Sequence, residues 1–380
     1  MKKLALIIFF DAFLLILLGL IIVMSASSAY SEFKFDNLFR LFNYHLLKVL
    51  IGLGLMIIFS FVPYDIYKQS SKPAIFAIVF VLFITLFVAK DINGAGRWLQ
   101  LGPFSFQPTN AARLILFIHL AALMEDKGAE IKSYKNGFLY LFFWVIVISV
   151  LILLQPNVSN GILLVFISLV IMYVGGAKIK HILVAALFCL VAGGIAAMLF
   201  FHSRERILAF IHTIEYGGAL NLQVWQSFLG LGSGGVFGVG LGHSLQSNLF
   251  LPEAYGDFIF SILGEEIGFI GAISVLFAYL VMFIAGILVA KKARDKFGQL
   301  LAFGITFSII VYAFVNIAVA VGLIPTTGLP LPFISYGGTS LIFLSISIGI
   351  LINIAIANSI PQNLVEQQQI NSNIIEGFKA

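Results

Sequence analysis

Apolar runs near twenty residues long, separated by short polar or basic links, make up most of this chain. Ten can be read, at roughly 4–27, 47–62, 73–89, 109–124, 137–154, 158–175, 181–201, 258–290, 299–322 and 337–357. Each has the length of a helix that crosses a bilayer, and the residue-by-residue alternation of a transmembrane barrel does not recur. The pattern predicts an all-α integral membrane protein of about ten transmembrane helices, with a large extracytoplasmic loop between the seventh and eighth. The eighth run is long enough to be tilted or to begin as a partly buried helix. The first follows Met1-Lys2-Lys3 as a signal peptide would, but it is too long for one, and further spans follow; it is expected to stay as the first helix. Residues 1–360 read as one polytopic domain. Residues 361–380, polar and rich in Gln and Asn, read as a disordered cytoplasmic tail.

Composition agrees and narrows the class. Hydrophobic residues make up 61% and charged residues 10%, too little polar surface for a soluble domain of this size. The single cysteine, Cys189, excludes a disulfide framework and a Cys-based metal site. No Walker loop is present, so ATP is not expected to act directly, and the glycines of 230–242 follow no strand and are no dinucleotide fingerprint. The six histidines lack ligand-like spacing and read as packing or interface residues. The net charge of +5 is explained by topology, not by nucleic acid. Fourteen Lys and Arg fall on the side of the N-terminus and seven on the other, with Arg113 inside the fourth span, which puts both termini in the cytoplasm. The unusual polar segments then all face outward.

The richest of these segments runs from 225 to 266. It is crowded with glycine and returns to an apolar run carrying Glu253, Asp257, Glu265 and Glu266, four of the chain's 17 acids within fourteen positions. Asp257 stands at a membrane edge before an apolar stretch, where poor solvation would raise its pKa and suit it to act as a base; it could equally be the N-cap of the eighth span. Glu253 could orient the site or help hold a divalent ion, or be a solvated loop carboxylate. Glu265 and Glu266 would lie deeper, about 100° apart on the helix, and are read as a structural polar network. Arg97, beside Trp98, could fork onto phosphate oxygens or simply snorkel at the interface. Arg113, three residues after Asn110, needs a partner or a watery cavity. Arg204 and Arg206 could draw in an anionic lipid or cover a solvated helix end. Gln107-Pro108 and the run 325–338, with three prolines and three glycines, cannot form ordinary helix and should line a cavity or be buried in protein. There Ser335, Tyr336 and Thr339 could donate hydrogen bonds; Ser335 is no nucleophile, since no base follows in a fitting motif.

Four stretches, NGAGRWLQLGPFSFQP, QSFLGLGSGGVFGVGLG, LPEAYGDFIFSILGEEIGFIG and GLIPTTGLPLPFISYGGTS, together resemble the SEDS family (shape, elongation, division and sporulation proteins), and the likeness runs from the first span to the tenth. The direct passage from GVGLGHSLQ to LPEA is nearer the division member, FtsW, than the elongation member, RodA. The resemblance implies a peptidoglycan glycosyltransferase in the bacterial cytoplasmic membrane. It would polymerise lipid II at the outer face beside a class B penicillin-binding transpeptidase and other division or elongation proteins. It also implies that Asp257, the match to the family's essential Asp, is catalytic, and it strengthens the hydrogen-bonding role of Ser335, Tyr336 and Thr339; with Arg97, Arg113, Gln107 and Glu253, picked by residue type and position, these are the residues expected to contact substrate. A divalent cation, Mg or Mn, is the one cofactor that the chemistry invites; its ligands are unknown. Two departures stand out. Where the family has QPSE and then K, this chain has Gln107-Pro108-Thr109-Asn110 and then Arg113; where it has QPD, this chain has Gln155-Pro156-Asn157. Asn110 and Asn157 can hydrogen-bond but cannot neutralise a cation, and are placed with the structural polar residues. A transporter of the lipid-linked precursor and a scaffold whose chemistry has decayed are the competing readings.

Overall fold

The computed structural model describes residues 1–92, 95–101, 104–216 and 222–358. Ten long helices stand where the apolar runs predict them. They are α1 (Lys2–Phe35), α2 (Arg40–Phe61), α4 (Ser71–Val88), α5 (Pro108–Lys127), α6 (Leu139–Leu153), α7 (Val158–Val174), α8 (Ile179–Leu199), α11 (Ile259–Lys292), α12 (Lys296–Ala320) and α13 (Gly338–Ala357). A short helix, α3 (Asp65–Gln69), links α2 to α4. In hydrocarbon every backbone polar group must be satisfied within the segment, so a helix is the one form these runs can take alone. Among the described residues eight spans are long and apolar enough to cross a membrane, α6 being counted with the turn before it as Tyr134–Leu153; α7 has 17 residues, and α5 carries Arg113 but is enclosed by its neighbours.

The centre of the bundle is formed by α5, α12 and α13. α1 and α2 pack along α13, α11 lies against α1 and α12, and α8 touches little besides α7 and α9 (Phe201–Tyr216). α1 shows why the helices sit as they do. Ala5, Ile8, Ala12, Leu15, Ile16, Ile22 and Val23 recur at helical spacing and are buried, while Leu6, Phe10, Leu14 and Ile21 stay exposed on the opposite face, where lipid would lie. Small residues let the closest pairs touch. A β-carbon on Gly349 of α13 would meet the backbone oxygen of Met56 in α2 at 2.6 Å, and one on Gly19 of α1 would meet the Ile334 and Phe333 backbone at 2.7 Å.

Two regions differ from the expectation of irregular loops. A small antiparallel sheet is formed by β1 (Lys90–Ile92), β2 (Ala95–Leu101) and β3 (Phe104–Phe106), with Leu99 opposite Phe106 and Gln100 opposite Ser105. The segment 202–257 contains most of α9 and all of α10 (Leu222–Ser233). The eighth span is interrupted: Gly268 in α11 has φ 74 and ψ −168, a conformation that favours glycine. The glycine-rich segment crosses the helix at this break. Val239 N donates to Glu265 O at 2.9 Å, Gly240 N to Glu266 O at 3.1 Å, and Phe269 N to Gly235 O at 2.9 Å, so the interrupted backbone finds its partners in the crossing chain. The tail 361–380 lies outside the described residues, and the division into a membrane domain and a tail is one we propose.

Candidate active site

A cavity of about 650 Å³ lies at the end of the bundle away from the N-terminus, between α2, α5, α7, α9, α12 and β2. Two irregular loops, 251–258 before α11 and 321–337 before α13, close it, and side chains aimed at the backbone fasten them together. Asn316 Nδ2 of α12 donates to the backbone oxygens of Asp257 (2.7 Å) and Leu329 (2.8 Å). Ser335 Oγ donates to Gly256 O at 2.7 Å and accepts from Leu331 N at 2.7 Å; Tyr336 N donates to Tyr255 O at 2.9 Å. Asp257 is therefore held through its own carbonyl and through those of the two residues before it.

The Asp257 carboxyl faces the cavity together with Arg97 of β2 and Arg206 of α9. Gly328, with φ +72, sits directly over the pair. A β-carbon there would come 3.3 Å from Arg206 Nη1 and 3.5 Å from Asp257 Oδ2, so glycine satisfies both the left-handed backbone and the close approach. Burial pushes the Asp257 carboxyl up to about 6, the like charge of Glu253 pushes the same way, and Arg206 and Arg97 pull it back. The residue is half-buried, its open side being the cavity itself. Asp257 is not a helix cap: α11 begins at Ile259, with Phe258 in the cap position and no side-chain capping bond.

The structure brings Arg97, Gln107, Asn110, Asn157, Glu253, Asp257 and Tyr336 to this one cavity. It separates the others. Arg113 is buried in α5 with its guanidinium 4.2 Å from the centre of the Tyr312 ring; it does not line the cavity itself, but Tyr312 does. Tyr312 OH donates to Asn160 Oδ1 (2.8 Å), and Asn160 Nδ2 to Asn157 Oδ1 (2.9 Å). Thr339 Oγ1 accepts from Gln107 N at 3.2 Å and from Asn110 Nδ2 at 3.4 Å, and Ser335 is spent on the loop, so neither hydroxyl lines the cavity. Glu265 and Glu266 lie elsewhere, under the glycine-rich segment. Glu265 accepts from Ser244 Oγ (2.5 Å), Leu245 N (3.0 Å), Gln246 N (3.3 Å) and Ser233 Oγ (3.3 Å), and Glu266 from Gly242 N (3.1 Å) and from Ser25 Oγ of α1. Asn110 and Asn157 are thus cavity residues, apart from the glutamates with which sequence reasoning grouped them.

Sequence reasoning assigned no role to Lys48 of α2, Tyr255 and Asn316, and saw in Arg206 only half of a basic pair; all four line the cavity. Tyr255 lies within one of the four family-like stretches, and no local motif marks the other three. A carboxylate poised near neutrality beside two guanidinium groups can take a proton from a hydroxyl while positive charge receives an anionic leaving group. Among the described residues no three His, Cys, Asp or Glu converge as a metal cage. Asp257 and Glu253 nonetheless share the cavity, and one or two carboxylates completed by substrate phosphates suit Mg²⁺, so the donor set fits an ion that arrives with a phosphorylated ligand.

The Cell cycle protein family model, of FtsW, RodA and SpoVE, matches residues 5–360. The chain is 33% identical over 339 residues to the probable peptidoglycan glycosyltransferase FtsW of Geobacter sulfurreducens, covering 89% of this chain and 91% of the relative. It is 36% identical over 345 residues to the stage V sporulation protein E of Bacillus subtilis, covering 90% and 94%. Among solved structures, a chain described under the structural coordination of polymerization and crosslinking by a peptidoglycan synthase complex superposes with TM-score 0.74, 25% identity, and 92% and 97% coverage. The rod shape determining protein RodA of Thermus thermophilus gives TM-score 0.69 at 24% identity, with 93% and 97% coverage, a likeness of fold.

Proposed function

Because the chain belongs to the FtsW, RodA and SpoVE family of cell cycle proteins, we propose that it is a peptidoglycan glycosyltransferase that polymerises lipid II. The observation that carries this reading is the Asp257 carboxyl, raised to about 6 and set beside Arg97 and Arg206 in one cavity. Asp257 takes the proton of the acceptor sugar hydroxyl as its oxygen bonds to the anomeric carbon of the donor. The bond from that carbon to the lipid diphosphate breaks, and the diphosphate leaves with the electron pair, its charge met by Arg97 and Arg206. Tyr336, Gln107, Asn110 and Asn157 are walls that offer hydrogen bonds to sugar. Arg113, Ser335 and Thr339 act one layer back, by holding those walls. A divalent ion held by Glu253 and the diphosphate itself would add positive charge there, leaving Asp257 free to act as the base.

The multi-pass protein is placed in the bacterial cytoplasmic membrane with both termini inside and the cavity outward, on the basic bias of its links. A class B penicillin-binding transpeptidase is the partner we assign, supported by the similar chain's place in a peptidoglycan synthase complex. A role in division or sporulation is favoured by identities of 33% and 36% to FtsW and stage V sporulation protein E. The transporter reading would need a polar path through the bundle; what favours the enzyme is that the acid and both arginines converge at one end.

The test is polymerisation of labelled lipid II by the purified chain with its transpeptidase. Wild type is expected to give long glycan, and Asp257→Asn to lose about 100-fold or more in rate, the scale of a removed general base, with its thermal stability retained. Equal products from both would remove Asp257 from the chemistry. Lipid translocation without polymer would establish the transporter.

A further inference from the structure

Lys48 is a cation that the chemistry above does not use. It lies on α2, half-buried in the cavity wall, and among the described residues no carboxylate forms an ion pair with it. Its ammonium sits 4.9 Å from the centre of the Tyr336 ring. A β-carbon on Gly338 would stand 3.9 Å from Lys48 Nζ and 3.7 Å from the Trp98 ring, so lysine, indole and the start of α13 share one corner. One turn earlier on the same face, His45 is fully buried against Tyr336, with their ring centres 5.4 Å apart, and neither of its ring nitrogens has a protein partner. A cation held in a membrane helix without a counter-charge is costly, and such residues mark ligand paths.

Lys48 is not among the charges that act on Asp257 or Arg97. Arg97, Arg206 and Asp257 act on one another electrostatically, and Gly328 covers Arg206 and Asp257. Lys48 instead faces Gly338, the first residue of α13, beyond the loop that carries Gly328. The position is rigid, because α2 is the helix most closely packed on α13, with Gly52 against Ser345 and Gly349 against Met56. Gly338, at this corner, is the first residue of α13, and helix N-termini favour anions.

We propose that Lys48, with Trp98, Tyr336 and the N-terminus of α13, forms a second anion subsite that holds the diphosphate of the acceptor substrate. The inference rests on the glycosyltransferase reading. Joining two lipid-linked sugars brings two diphosphates to one cavity. The donor's is beside the base, at Arg97 and Arg206. The acceptor's is a disaccharide away from the hydroxyl that reacts, so it needs a cation of its own, flanked by aromatic rings on which sugar can lie. Lys48 positions the acceptor; it takes no part in proton transfer.

The test compares wild type with Lys48→Met and Lys48→Arg, each as full chain with its transpeptidase and each checked for unchanged thermal stability. Lys48→Met is expected to raise the KM for lipid II roughly tenfold, the scale of one lost charge-assisted hydrogen bond, with kcat less affected and shorter glycan; Lys48→Arg should recover most of the loss. In the purified chain a short prenyl diphosphate should bind at two sites in wild type and one in Lys48→Met. Equal KM, equal length and equal stoichiometry would overturn the subsite. A penalty that vanishes when the lipid II peptide carboxylates are amidated would reassign Lys48 to the peptide and overturn the diphosphate assignment. Absence of polymer from wild type would refute the polymerase reading alone, and the binding stoichiometry would still decide the subsite.

Discussion

At the scale of single residues, the charge balance around Asp257 makes directional predictions. As the proposed base, Asp257 must be ionised, so kcat/KM should rise as pH climbs through about 6. Glu253 raises the Asp257 pKa, so Glu253→Gln should move this acid limb to lower pH. Arg206 lowers it, so Arg206→Gln should move the limb upward and leave less of the base ionised at neutral pH. A pH–rate profile of each variant checks both signs, and a shared limb in all three proteins would show that the titrating group lies elsewhere. Asp257 could be picked from the sequence because it stands at the junction of a polar loop and an apolar run. Arg206 and Lys48 could not be assigned to it. Each reads locally as a basic residue near a helix end, and only folding sets Gly328 over Asp257, some seventy positions earlier.

At the scale of elements, the ten spans were legible because hydrocarbon leaves the backbone one solution. The sheet was not: its strands are three to seven residues long and interspersed with glycine, so their alternation is too brief to stand out. The break at Gly268 was hidden for the opposite reason, being one residue in a continuous apolar run. Its partner is the polar anchor beneath the glycine-rich segment, where Glu265 accepts four hydrogen bonds. Glu265→Leu should leave those donors stranded and cost about 3 kcal/mol or more, seen as a fall in thermal midpoint and faster amide exchange across 234–248. Gly19→Leu should be similarly severe, since its side chain would meet backbone atoms of Phe333 and Ile334 that cannot rotate away. Retention of wild-type stability by either variant would mean that these contacts are slack.

At the scale of the whole molecule, the bundle is a frame that carries an irregular site at one end. Its orientation can be tested directly. In a Cys189→Ser background, a cysteine at Asn37 should react with an impermeant thiol reagent added outside intact cells, and one at Lys178 should react only after lysis. The reverse pattern would invert the topology and, with it, the placement of the site. The frame also has a bearing on how the site can change over time. The loop over Asp257 is fastened by Asn316, Ser335, Tyr279 and the Tyr336 amide, and all of these bind main-chain oxygens, of Asp257, Leu329, Gly256, Pro332 and Tyr255. A carbonyl is the same whatever side chain it belongs to. Thr326 and Thr327 line the cavity from that loop and are none of these fasteners; half-buried Thr327 can be exchanged with little disturbance to the scaffold, and buried Thr326 for residues of its own size. Mutational drift or laboratory evolution can retune sugar preference and inhibitor sensitivity at these two positions, while the base stays where it is.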